Sequence, residues 1–129
     1  MYLYHVLCTR SLVKLYSIVF ELLMFNLNTM NMNWKIRKLL NGETIVSKEP
    51  GNSMLPILKS KQPVVLQPIT WDACEVGDIV FCKVRGNCFT HLVKGKNVKR
   101  GLLIGNNRGH LNGWTKNVYG KVIEILPMP

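Results

Sequence analysis

Asp78 to Lys94 contains two seven-residue runs, DIVFCKV and CFTHLVK, separated by Arg85-Gly86-Asn87. Both are rich in β-branched and aromatic side chains, and a break this short leaves no room for a crossover. Two such runs form an antiparallel hairpin, with Gly86-Asn87 or a three-residue loop at the tip. The rest of the chain beyond residue 33 has the same character. ETIVS (43–47), PVVLQPI (63–69), GLLIGN (101–106) and VYGKVIEI (118–125) are short apolar runs bounded by turn residues. The prolines flanking 63–69 predict an edge strand. Ile36 to Leu40 reads as a helical turn or a first strand, ended by Asn41-Gly42. GKNVKRG and NNRGHLNGW read as turns. No long helical period follows residue 40. The expected fold is mostly β: five or more short antiparallel strands in a small coiled sheet or barrel.

The chain has 129 residues, enough for one domain of useful core size. Seventeen Lys and Arg against seven Asp and Glu give a formal charge of +10. The excess is spread along the chain, so it marks a basic surface rather than a basic tail. Such a surface is compatible with nucleic acid or an anionic membrane and identifies neither. Four cysteines (Cys8, Cys74, Cys82 and Cys88) show no C-x-x-C and no paired metal-ligand spacing. Cys82, Cys88 and His91 lack an obvious fourth ligand. The thiols are expected to be buried in strands and reduced, with no metal or cofactor.

Residues 1–31 differ from the rest. MYLYHVLCTRSLVKLYSIVFELLMFNLNTM is apolar and holds no Gly or Pro, but Arg10, Lys14 and Glu21 interrupt it. A spanning helix needs about 20 largely apolar residues, and Glu21 would lie near its centre. No small-x-small cleavage pattern follows. Three readings stay open: an amphipathic or weakly membrane-anchoring helix, a helix packed on the domain, or an upstream extension absent from the natural product. Met30 and Met32 offer later starts, so residues 32–129 are expected to form the domain.

Ser53 lies in PGNSMLP (50–56). A serine hydroxyl needs a base to take its proton and donors to hold an oxyanion. Gly51 allows close backbone approach, and Pro56 fixes the chain direction. On residue types alone this is also an ordinary turn. GNSMLPIL, however, resembles the G-x-S-M-x-P-T-L box of the signal peptidase and LexA-type serine peptidases. EVGDIVFCKV (75–84) resembles their G-D-[IV]-V strand, and GKVIEI (120–125) their closing strand. IGNNRGHLNGW (104–114) is similar to a connection in small phage and bacterial relatives. The resemblance covers about residues 50–125, in family order.

It implies a serine endopeptidase with Ser53 as nucleophile. The family's base is a lysine or, in the endoplasmic-reticulum type, a histidine on the strand after G-D-x-V. Here that strand holds His91 and Lys94. Alternation puts these on opposite faces, so at most one meets Ser53. THLV resembles the histidine type, and an imidazole needs little pKa adjustment to act near neutral pH. His91 is therefore the expected base and Lys94 the alternative. Where the histidine type carries an aspartate that orients the ring, this chain has Gly105-Asn106-Asn107, so the orienting role falls to Asn106. His110 reads as a loop histidine. The oxyanion and substrate backbone are assigned to Gly51, Asn52 and Ser53, with an extended peptide or protein as substrate. Residues 1–50 contain no alanine and no Cys-Gly, which disfavours a self-cleaving repressor. The expectation is a small stand-alone, cytoplasmic member, of phage or mobile-element type, with weak membrane attachment through residues 1–31 as the alternative. The other reading is a weak or inactive peptidase-fold module that binds nucleic acid or a protein partner through its basic surface.

Overall fold

The computed structural model describes residues 12–24 and 32–129. The readings of Cys8, Arg10 and the later starts at Met30 fall outside those residues. The chain divides into two compact units, residues 1–33 and 34–129. In the first, residues 12–24 form helix α1. Its large apolar side chains, Leu15, Phe20 and Leu23 among them, are exposed. No helix among the described residues is long and apolar enough to cross a membrane.

The second unit opens with helix α2, Trp34–Leu40, which buries Ile36 and Leu39. Of the two readings for this stretch, the helical one holds. Its end is set by Gly42 at φ 86°. Gly42 N–H donates to Leu39 O and Glu43 N–H to Lys38 O, both at 3.0 Å. These two bonds satisfy carbonyls that the helix end would otherwise leave open.

Seven strands follow: β1 Ile45–Lys48, β2 Pro63–Pro68, β3 Ile79–Val84, β4 Asn87–Asn97, β5 Gly101–Gly105, β6 Leu111–Thr115 and β7 Val118–Ile125. They form one antiparallel sheet in the order β1-β2-β7-β3-β4-β5-β6. The sheet is not closed into a barrel; β1 and β6 remain its two edges. Register shifts at Val65/Leu66, Phe81/Cys82, Val93/Gly95 and Ile104/Gly105 coil it instead. The coil brings the end of β6 back to β3, where Thr115 Oγ1 donates to Lys83 O at 2.7 Å. The Lys83 amide donates to Asn117 O at 2.9 Å.

β3 has alternate residues in two cores, which is why its sequence is almost continuously apolar. Val80, Cys82 and Val84 join Val93, Leu102, Ile104 and Val118 inside the coil. Phe81 is equally buried on the other face, where the Lys35 ammonium of α2 lies 5.7 Å from its ring centre.

Four details differ from the sequence reading. β4 runs on through Gly95, Lys96 and Asn97, so the turn in GKNVKRG shrinks to residues 98–100. The β3–β4 turn is Arg85-Gly86, with Val84 facing Asn87; both turn residues have positive φ, 50° and 84°. That is the twist a two-residue hairpin needs, and it moves the tip back by one residue. β2 is not an edge strand, since β1 covers its outer side. Its prolines stand at its two ends, where they interrupt little of the ladder. LNGWT forms strand β6 rather than part of a turn. Its Asn and Gly disguise it, and as an edge strand it buries little apolar surface to signal itself.

Candidate active site

Ser53 sits in a chain of turns between β1 and β2. Gly51 enters it at φ 111°, a conformation that L side chains rarely adopt, and its missing Cβ would face open space. The requirement at Gly51 is therefore conformational and not one of crowding. Leu58 N–H closes the turn on Met54 O at 3.0 Å, and the Leu55–Pro56 peptide is cis. Two bonds from the β5–β6 loop hold the serine segment in place. Asn107 N–H donates to Ser53 O at 3.0 Å, and Asn107 Nδ2 donates to Leu55 O at 2.9 Å. Asn107 has no role in the sequence reading beyond its place in the turn.

The structure brings Ser53 and His91 together across 38 residues: Ser53 Oγ lies 3.1 Å from His91 Nε2. His91 is on β4 and only 7% exposed. The ring of Phe89, two residues earlier on the same face, stacks on it at 4.9 Å. The other ring nitrogen, Nδ1, is 2.7 Å from Asn112 Oδ1 on β6. An amide oxygen only accepts, so Nδ1 carries the ring proton and donates. Nε2 then holds the free lone pair and faces the serine hydroxyl. This is the tautomer that a general base requires.

The assignment of Asn106 as the orienting residue is corrected. Asn106 Oδ1 accepts from Arg108 N–H at 2.8 Å and His110 N–H at 3.0 Å, so its side chain ties its own loop. Short polar side chains in turns commonly bond to the backbone two residues on, and this competes with any longer reach. Asn112 takes the place beside His91 because β6 runs as a strand past the cleft. Lys94 is exposed at the β4 bulge and makes no hydrogen bond to Ser53. Gly51 is also not an oxyanion donor here, since its N–H goes to Ser60 Oγ at 3.0 Å. Among the described residues, no acceptor engages the Ser53 N–H.

The pair opens into a cleft of about 350 Å³ whose walls include Glu49, Met54, Leu58, Phe89 and Thr90. β4 pairs with β3 from Asn87 to Leu92, but with β5 only from Leu92 onward. The second edge of residues 87–91 is therefore unpaired. His110, in the β5–β6 loop as expected, also lines this cleft.

Burial lowers the His91 pKa from its usual value near 6.5, and the Asn112 hydrogen bond only partly offsets this. His91 is thus neutral at pH 7, ready to accept a proton. Any reaction that uses it should gain rate as pH rises through an inflection below 6.5, then level off. Stability follows the same sign. Below pH 6.5 the unfolded chain binds a proton that the folded chain refuses, so stability falls as pH drops through that window. A labelling rate for Ser53 measured from pH 4.5 to 8 checks this; an inflection well above 6.5 would contradict it.

Cys74 and Cys82 are buried, and burial pushes their thiols up to about 11 and about 12. Cys88 is half-buried on β4, and all three thiols are free. Cys82 faces Phe89 in the register and Cys88 faces Lys83, so the two thiols point to opposite sides of the hairpin. No set of three or more ligating side chains converges among the described residues. A scan of protein-family models finds none that matches this chain, and a search of curated proteins finds no match either.

Proposed function

We propose that this chain is a serine endopeptidase of the signal peptidase and LexA type, with Ser53 as nucleophile and His91 as general base. One observation carries the reading: the hydrogen-bonded sequence Ser53 Oγ, His91 Nε2, His91 Nδ1, Asn112 Oδ1, with spacings of 3.1 and 2.7 Å. A substrate strand fits along the unpaired edge of residues 87–91, adding backbone hydrogen bonds there. Ser53 Oγ attacks the carbonyl carbon as His91 Nε2 takes the hydroxyl proton. The Ser53 N–H meets the developing oxyanion. Collapse breaks the C–N bond, His91 returns its proton to the leaving amine, and water then hydrolyses the acyl-enzyme.

Asn112 holds the imidazole but contributes no charge to the imidazolium. Replacing Asn112 with Ala should slow Ser53 labelling on the order of a hundred-fold. Asn112→Asp should instead move the acid-side inflection upward by about one pH unit, because a carboxylate favours the protonated ring. If both variants keep the wild-type pH profile, Asn112 does not orient the base. The function itself is tested by treating the full chain with a fluorophosphonate and mapping the adduct. The expected label is on Ser53. Labelling elsewhere, or none over hours at pH 8, rejects the reading. We also place the protein in the cytoplasm, a location supported by the unpaired thiols at Cys74, Cys82 and Cys88.

A further inference from the structure

We propose that the β6 end of the sheet binds single-stranded nucleic acid, independently of the Ser53 site. From Ile79 to Ile123 the sequence holds nine Lys and Arg residues and no Asp or Glu. Three of the nine gather around β6. The Arg85 guanidinium nitrogens Nε and Nη2 lie 3.7 and 3.8 Å from where a Gly113 Cβ would stand. Arg100 sits over the Trp114 ring, 5.8 Å from its centre. Lys116 follows two residues later, its ammonium 5.1 Å from the centre of the Trp71 ring. All three are exposed, and none forms an ion pair among the described residues.

Trp114 is 37% exposed although it lies against protein. It faces Leu103 in the register, and Leu103 faces Gly95. The absence of a side chain at Gly95 lets the indole extend across β5, with its Cη2 3.6 Å from the Gly95 Cβ position. The ring is therefore backed by packed atoms, with the Arg100 guanidinium over it and Arg85 beside Gly113 on the other face of the same edge strand. A nucleobase stacks on such a platform while the guanidinium and ammonium groups meet the flanking phosphates. A lipid surface favours an indole that projects outward into the headgroup layer, whereas this ring packs against Gly95 and Leu103. That distinction favours a single strand over an anionic bilayer.

The test uses the full chain and a fluorescein-labelled 15-nucleotide oligo(dT), with the corresponding RNA, a duplex, heparin and phosphatidylserine-containing vesicles as further arms. Affinity for the single strand should fall with salt, with a log–log slope of about −0.7 per phosphate neutralised. The double variant Arg85→Gln, Arg100→Gln should flatten that slope by about one to two. Trp114→Leu should weaken oligonucleotide binding about ten-fold and leave heparin binding unchanged, and Trp114→Tyr should restore most of the loss. The DNA and RNA arms decide which strand is preferred. No binding at 50 mM salt, equal loss for heparin and oligonucleotide in Trp114→Leu, or tighter binding to duplex or vesicles would overturn the proposal. Both arginine substitutions lie on the exposed surface, so a folding failure of Trp114→Leu leaves the slope measurement decisive. Ser53 labelling in the same preparations reads the peptidase site separately.

Discussion

Ser53→Ala and His91→Gln should each reduce peptide cleavage by about three orders of magnitude or more, and the double variant should be no slower than the worse single one. In the proposed mechanism the two side chains perform one proton transfer. Without the hydroxyl there is no proton to take, and without Nε2 the hydroxyl stays a weak nucleophile. Once either is gone, removing the other has nothing left to cost. Glutamine at 91 keeps a side chain in the space under Phe89, so thermal melting should show a fold close to wild type. Cleavage of a randomised peptide library, read by mass spectrometry, supplies the rates. Losses that multiply in the double variant would mean that the residues act separately. Cleavage retained in Ser53→Ala would remove the nucleophile assignment.

Gly101→Ala should be the most damaging small substitution in the sheet, costing about 3–5 kcal/mol. Gly101 joins the β4–β5 turn to β5 at φ 91°. A Cβ there would stand 2.3 Å from Thr115 O, a backbone atom of the paired strand β6. The methyl group therefore meets two penalties together: a conformation that L residues avoid, and a neighbour that moves only if β6 moves. Gly86→Ala is the matched comparison. Gly86 has a similar φ of 84° but nothing within 4 Å of its Cβ position. It should cost only about 1–2 kcal/mol, the conformational part alone. For a domain of this size the first substitution should lower the melting temperature on the order of 20 °C, and the second by about a third as much. Because Gly101→Ala displaces β6, it should also slow Ser53 labelling, since Asn112 rides on that strand. Equal melting temperatures for the two variants would show that β6 yields freely.

Much of the β framework is legible locally. DIVFCKV and CFTHLVK announce a hairpin because its partners are adjacent, and β5 and β7 are equally plain runs of β-forming residues. Ser53 and His91 are also visible as residue types, one in a turn with a glycine that needs positive φ, the other on a strand. What could not be read locally is what each partner meets. LNGWT has the composition of a turn, and only the sheet supplies the ladder that makes it a strand. With that strand hidden, Asn112 was hidden too, and Asn106 stood in for it through the resemblance of Gly105-Asn106-Asn107 to the family's aspartate turn.

The sequence by itself determined which segments extend, where the chain must turn, and which side chains have chemistry to offer. Those properties depend on neighbouring residues and on backbone preferences. Only the tertiary structure decided that the sheet coils without closing, that β6 returns to β3, and that Ser53 faces His91 with Asn112 behind it. These depend on bulges and on contacts between residues far apart in the chain. A hydrogen bond such as His91 Nδ1 to Asn112 Oδ1, 21 residues apart and 2.7 Å long, exists only once β4, β5 and β6 have paired.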